Sequence, residues 1–383
     1  MRARDLGLTS GERGTHNAIT DVPGVRVGHV TLVRDPGIRT GVTAIVPGDA
    51  GPRAPLPAGL FTGNGHGKLV GATQLAELGA LESPIVLTAT LSAFRAADAL
   101  VTWMLAQPGC AGVRTFNPVV GECNDGLLSD IRARPVTEAH VLEAVASAAR
   151  GPVAEGCVGA GTGTTALGFK SGIGTASRVV RAGDAPITLG ALVQTNFGGT
   201  LRLHGHPITP TSLGLPTPPS PVPSPPDPPT PASSVLPAPG ARSGAAETAA
   251  RGGSARPDLS TGSGGGGEGE AGSCMIVVAT DAPVDARQLT RLARRAVFAL
   301  ARVGADYSHG SGDYAIAFTT STGLAPMPDH ALNPLFGAVL DAVEEAVLNS
   351  LLAAETTVGV GGRVAHALPA ARLRDFLRDH ERA

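Results

Sequence analysis

The chain has 383 residues, of which 42% are hydrophobic and 16% charged, with a formal net charge of −2. That is enough apolar material for a large core, and the near-neutral balance leaves no electrostatic footprint for nucleic acid or an anionic membrane surface. Aromatic residues are only 3% of the chain, which argues against base-stacking platforms. The four cysteines, Cys110, Cys123, Cys157 and Cys274, form no CxxC pair, and the histidines show no metal-ligand spacing, so no cofactor and no metal are expected. The first 25 residues lack a secretory apolar core, and no apolar run approaches the length of a membrane span. A cytoplasmic protein with reduced thiols is the expectation.

In chain order, VRVGHVTL, GVTAIVP and SPIVLTATL read as strands bounded by glycine and proline. GATQLAELGAL reads as a helix, and so does Leu91 to Leu105, where Phe94, Ala97, Leu100, Val101 and Met104 recur at helical steps. The turn GECNDG presents Glu122, Asn124 and Asp125, and either carboxylate there could anchor a substrate ammonium or simply be a solvated loop acid. The glycine-rich run GAGTGTTALGFKSGIGTASR lacks the GK[ST] ending of a phosphate loop, so its glycines are read as permitting close backbone packing. ITLGALVQTN is a strand ending at Asn196, whose amide is either a turn residue or a donor to a developing oxyanion.

Residues 1–207 read as globular, 208–270 as low complexity and 271–383 as globular again. The middle tract holds 13 of the 32 prolines between Pro210 and Pro239 and then turns to Gly, Ser and Ala, a composition that cannot offset its own ordering entropy. It is read as a disordered insertion. Beyond it, SCMIVVAT begins abruptly as a buried strand. The helix that follows starts near Pro283, carries Leu289, Leu292, Ala296, Leu300 and Val303 on one stripe, and stops at Gly304. DYAIAFTTS is the next strand, and the run from Pro334 to Glu355 is a second helix. Strands and helices in this order predict an α/β layered fold.

Two places carry chemistry. A serine at the head of a core strand, preceded by glycine and a flexible tail, reads either as a linker that ends in Gly272–Ser273 or as the cut site of a self-cleaving precursor. Cutting there would give Ser273 a hydroxyl and a free α-amine, one way to activate a weak nucleophile. In SHGSGDYAIAF, Ser311 and Asp313 are two residues apart in a glycine-bracketed turn and share a face if the backbone is extended.

NAITDVPGVRVGHVTL, TGVTAIVP, NGHGK, PIVLTATLS, GECNDG, VGAGTGTTALGFKSGIGTASR, LVQTNFG, MIVVATDAP and HGSGDYAIAF occur in this order. With DAVEEAVLNSLLAAETTVG near the end, the set resembles the L-aminopeptidase/D-esterase family, which includes the β-peptidyl aminopeptidases. The resemblance implies a four-layer α/β/β/α sandwich, similar to N-terminal nucleophile hydrolases but differently connected. It also implies a precursor that cuts itself between Gly272 and Ser273 into polypeptides 1–272 and 273–383, which stay together in one domain. By the same resemblance Ser273 is the nucleophile, Ser311 and Asp313 its serine-plus-carboxylate pair, and Asn196 the oxyanion donor. Glu122, Asn124 and Asp125 fall where the substrate amino group is expected. Short peptides and aminoacyl amides or esters are the implied substrates, and a homo-oligomer of αβ units the implied assembly. Leu127 departs from the pattern, standing where an aromatic residue often follows NDG. An acyltransferase of the same self-processing type and a non-catalytic oligomeric scaffold are the competing readings; transfer to an added amine and covalent trapping of Ser273 discriminate them.

Overall fold

The computed structural model describes residues 1–48, 50–181, 185–216 and 272–381. Its strands are β1 (Val25–Arg34), β2 (Ile38–Pro47), β3 (Leu56–Gly65), β4 (Ala80–Leu81), β5 (Ile85–Ala89), β6 (Val119–Cys123), β7 (Thr165–Ala166), β8 (Phe169–Lys170), β9 (Ile173–Arg181), β10 (Pro186–Asn196), β11 (Leu201–Leu203), β12 (His206–Ile208), β13 (Ser273–Thr280) and β14 (Gly312–Thr319), with a short pair after them near the C-terminus. Its helices are α1 (Ala72–Glu77), α2 (Ala93–Leu105), α3 (Glu138–Ala146), α4 (Ala286–Val303), α5 (Asn333–Leu352) and α6 (Ala370–Glu381).

Two sheets make the frame. One has the order β1-β2-β5-β6 and the other β4-β3-β14-β13-β10-β9. Strands β13 and β14 show how the layers arise from sequence. Cys274, Ile276 and Val278 of β13, with Ala315 and Ala317 of β14, join a core shared with α4 and α5. The alternate residues Met275, Val277, Ala279, Tyr314, Ile316 and Phe318 join a second core with Val25, Ile45, Ile85 and Leu87 of the other sheet. A period of two therefore supplies both faces, and because both are covered the strands read as unbroken apolar runs. A third core joins the outer face of the four-stranded sheet, through Val42, Ala44, Val86 and Val120, to α2 and α3. The result is the four-layer α/β/β/α sandwich.

Helix α4 obeys its local signals. Asp285 is its N-cap, accepting from the Gln288 N–H at 2.7 Å, while Gln288 Oε1 accepts from the Asp285 N–H at 3.1 Å. Gly304 ends it at φ 96°. The helix thus begins after Asp285 rather than at Pro283, because the side-chain cap defines the first turn. The 71–81 region is a six-residue helix followed by the β-pair residues Ala80 and Leu81, since Gly79, at φ 61°, breaks it. Helix α2 starts at Ala93, and Phe94 is 68% exposed; its buried face is alanine-rich (Ala93, Ala96, Ala97 and Ala99 with Leu100 and Met104), which lets it lie close on the sheet. The ordered structure also continues past residue 207: Ile208 pairs with Leu201 and is buried, and Leu213 is buried behind it. Both apolar side chains anchor a stretch that composition alone assigns to the insertion. The remainder of that tract, from residue 217 to 270, lies outside the described residues, as does residue 271.

A polar knot fastens the N-terminal segment to α5. Glu345 is fully buried, and its Oε1 accepts from Arg4 Nε at 3.0 Å and from Asn17 Nδ2 at 2.6 Å. Arg178 Nη2 lies 2.8 Å from Oε2, an ion contact off the hydrogen-bond line. Nearby, Asn349 Oδ1 accepts from the Ala3 N–H at 2.9 Å, and its Nδ2 donates to Thr175 O at 3.0 Å. Removing one partner of such a buried pair leaves the other charge uncompensated. Glu345→Ala is expected to lose about 3–5 kcal/mol, read as a lower urea midpoint, with Glu345→Gln falling between it and the parent.

Candidate active site

The site lies at one end of three adjacent strands. Strand β10 pairs antiparallel with β13, placing Asn196 opposite Ser273, and β13 pairs parallel with β14, placing Ser273 beside Gly312 and Cys274 beside Asp313. Hydrogen-bonded register thereby assembles residues from three distant stretches of chain.

Ser273 is 5% exposed, and its Oγ donates to the carbonyl oxygen of Gly272 at 2.6 Å. The Gly312 N–H donates to that same carbonyl at 3.1 Å. A methyl group on Gly272 would lie 3.3 Å from Ser311 Oγ and 3.0 Å from Phe197 Cα, so only glycine passes here without the neighbours giving way. Ser311 Oγ in turn donates to Asp313 Oδ1 at 2.8 Å. Asp313 Oδ2 is buried without a partner, and burial raises the pKa of this carboxyl against the lowering effect of the Ser311 hydroxyl. Asn196 Oδ1 accepts from the Thr165 N–H at 3.2 Å, which leaves the amide NH2 as the end available to donate.

Two thiols crowd the nucleophile without competing with it. Cys123 Sγ donates to Ser273 O at 3.4 Å. Burial pushes both Cys123 and Cys274 well above the usual thiol range, so both remain protonated.

The acidic turn divides. Glu122 and Asp125 are 2% and 1% exposed, which rules out solvated loop acids. Glu122 Oε1 accepts from the Lys68 N–H at 2.8 Å, and its Oε2 accepts from the Thr90 hydroxyl. Gly67 lies between it and the head of β14: a methyl group there would be 3.2 Å from Glu122 Oε1 and 3.2 Å from Gly312 Cα. Tyr314 closes this corner, its hydroxyl donating to Gly67 O at 2.9 Å. Asn124 spends its side-chain oxygen on the Gly126 N–H at 2.9 Å, so it shapes the turn. Asp125 points to the interior beneath the glycine-rich run, where a methyl on Gly163 would be 2.9 Å from its Cβ. That run does pack closely, as its composition predicts: Gly172 and Gly174 abut the main chain of Gly156 and of α5.

Neither Asp125 oxygen makes a hydrogen bond, and burial raises this carboxyl to about 7 despite the opposing Thr40 hydroxyl and the charge of the buried Lys170. Sequence reasoning grouped Asp125 with Glu122 by proximity. It did not single out Lys68, Thr90, Tyr314 or Asn64, although Asn64 and Lys68 stand within NGHGK.

The raised pKa of Asp125 has a definite sign in stability. From about pH 4 to 7 the folded chain holds a proton that the unfolded chain has released, so stability falls as pH rises through this window. Glu155, also raised to about 7 mainly by burial, adds a slope of the same sign. Asp125→Asn is therefore expected to flatten part of the decline in Tm between pH 5 and 8, with its relative gain largest at pH 8.

Known proteins are similar to this chain over its whole length. The chain is 38% identical to the beta-peptidyl aminopeptidase BapA of Sphingosinicella microcystinivorans over 405 aligned residues, covering 100% of this chain and 93% of that one. A Burkholderia sp. beta-aminopeptidase superposes with a TM-score of 0.80 at 37% identity, covering 99% of each chain. The L-aminopeptidase D-Ala-esterase/amidase of Ochrobactrum anthropi, described as a prototype for the serine aminopeptidases and a variant of the Ntn hydrolase fold, superposes with a TM-score of 0.78 at 34% identity, covering 100% of this chain and 99% of that one. With the match running over residues 17–365, the chain belongs to peptidase family S58, and it is a hydrolase of the serine aminopeptidase type on that family's sandwich.

Proposed function

We propose that this aminopeptidase is made as a precursor that cuts its own Gly272–Ser273 bond and then uses the freed Ser273 to release N-terminal residues from short peptides, aminoacyl amides or esters. The contact between Ser273 Oγ and the Gly272 carbonyl oxygen at 2.6 Å carries the reading. It sets the hydroxyl beside the one carbonyl it must attack, and that carbonyl already receives the Gly312 N–H.

In the first stage Ser273 Oγ bonds to the Gly272 carbonyl carbon and its proton passes toward the Ser311–Asp313 pair. The carbonyl oxygen takes up the electron pair; as it re-forms the double bond the C–N bond breaks and the nitrogen leaves protonated. Water then hydrolyses the ester. This frees the Gly272 carboxylate and leaves residues 273–383 beginning with a free amine, folded together with residues 1–216 as one unit. The new α-amine, with an ordinary pKa of about 7.7–8.0, serves as base near neutral pH in the second stage. There Ser273 attacks the substrate carbonyl, Ser311 relays the proton under the orientation set by Asp313, and the Asn196 NH2 end stabilises the oxyanion. Glu122, two-fold hydrogen-bonded and set close to Gly67, Tyr314 and Gly312, receives the substrate ammonium. Asp125 supports the turn from beneath. No helix among the described residues is long and apolar enough to cross a membrane, and Cys110, Cys123, Cys157 and Cys274 are all free; a cytoplasmic assembly of several αβ units is part of the proposal.

Intact mass under denaturing conditions tests the first stage: the parent is expected as two polypeptides, the smaller beginning at Ser273, and Ser273→Ala as one uncut, inactive species of 38.3 kDa. An uncut chain with full activity on aminoacyl amides sinks the proposal. Asn196→Ala is expected to lower kcat by about 10²–10³-fold in the cut enzyme, the usual cost of losing one oxyanion donor.

A further inference from the structure

The Ser311–Gly312 peptide unit is held at both ends. Its N–H end donates to Gly272 O at 3.1 Å. Its C=O end, Ser311 O, accepts from Asn64 Nδ2 at 2.6 Å and from the His66 N–H at 3.2 Å. Asn64 does more than this: the same Nδ2 lies 2.9 Å from Ser308 O and 3.1 Å from His309 O. These carbonyls belong to the turn closed by the Ser311 N–H on Ser308 O at 2.9 Å. Three acceptors converging on one atom settle which way the amide faces, since its oxygen in that place would meet three other oxygens. Asn64 reaches the turn because it pairs with Asp313 across β3 and β14 at a bulge, where the register shifts between Asp313 and Tyr314.

We infer that Asn64 is a positioning residue for self-cleavage: by gripping the Ser311 carbonyl it sets and polarises the Gly312 N–H that faces the Gly272 carbonyl oxygen. This rests on the reading that Gly272–Ser273 is the bond cut. In a trans peptide the C=O and N–H point in opposite directions, so donors placed on the oxygen fix the direction of the N–H. They also strengthen it as a donor, because linked hydrogen bonds polarise one another. When Ser273 Oγ bonds to the Gly272 carbon, the carbonyl oxygen gains the electron pair, and a donor already aimed at it needs no reorganisation. The grip has a second effect: it holds the Ser311 backbone whose hydroxyl meets Asp313. Asn64 itself touches neither reacting atom.

The test uses the full chain. Cutting is followed by intact mass after a pulse of synthesis in the parent, in Asn64→Leu, which keeps the bulk and removes the donor, and in Asn64→Ser, which returns one donor. The expected result is cutting slowed about 10–100-fold in Asn64→Leu and partly restored in Asn64→Ser. A second readout is independent of cutting. In the Ser273→Ala chain, the Gly312 amide proton is expected to move upfield when Asn64→Leu is added, as its hydrogen bond to Gly272 weakens. A role limited to stability would lower Tm and leave that resonance and the cutting rate at parent values, and this result overturns the inference. If the parent itself is never cut, the proposed function fails, and the Gly312 resonance still decides whether Asn64 sets the Gly312 N–H.

Discussion

Everything at the candidate site depends on the register of three neighbouring strands. Asn196, Ser273 and Gly312 come from β10, β13 and β14, and the ladder bonds bring them side by side at one end of the six-stranded sheet. A slip of one residue in β13 would turn Ser273 to the opposite face and exchange the two apolar sets of that strand between cores. Such a slip is opposed by both cores at once, since Ile276 and Val278 pack toward α4 and α5 while Met275 and Val277 pack toward the second sheet. The position of one hydroxyl is thus set by the burial of many side chains that take no part in chemistry.

The buried polar groups fall into two kinds. Glu345 is matched by Arg4, Asn17 and Arg178, so it joins the N-terminal segment, β9 and α5. If the chain is cut before Ser273, Arg4, Asn17 and Arg178 lie in one polypeptide and Glu345 in the other, and the knot becomes a link between them. Asp125 and Asp313 are under-matched instead, with orphaned carboxylate oxygens and pKa values raised by burial. For Asp313 this is useful, because a more basic carboxylate orients and accepts from a hydroxyl better than a fully satisfied one. For Asp125 the Thr40 hydroxyl and Lys170 only partly offset burial, and its charge weighs against the fold above neutral pH.

Much of the sandwich is legible in the amino-acid sequence. The apolar runs of β13 and β14, the stripe of α4 and its glycine stop follow from periodicity and local capping alone, and Ser311 and Asp313 do share a face as their spacing predicts. Less legible were places where packing overrides local pattern. Phe94 fits a helical stripe yet faces outward, because α2 lies on the sheet through small alanines. Ile208 and Leu213 stand at the edge of a proline-rich tract yet are buried. Glu122 and Asp125, three residues apart across the end of β6, end in different surroundings, one beside Gly67 and one beneath Gly163.

The sequence by itself determined that strands and helices pack in layers, the strands that became β1, β2, β5, β10, β13 and β14, and the border at Gly272–Ser273, since these rest on local periodicity, glycine and proline placement, and composition. It also carried the motif set that marks the family. Only the tertiary structure decided which residues meet: that the Ser273 hydroxyl faces its own preceding carbonyl, that Gly312 donates to the same oxygen, and that Asn64 holds the peptide behind it. Those contacts join residues separated by up to about 250 positions. No local pattern encodes them, because they exist only when strand register and two facing cores bring distant backbone amides and carbonyls within hydrogen-bond reach.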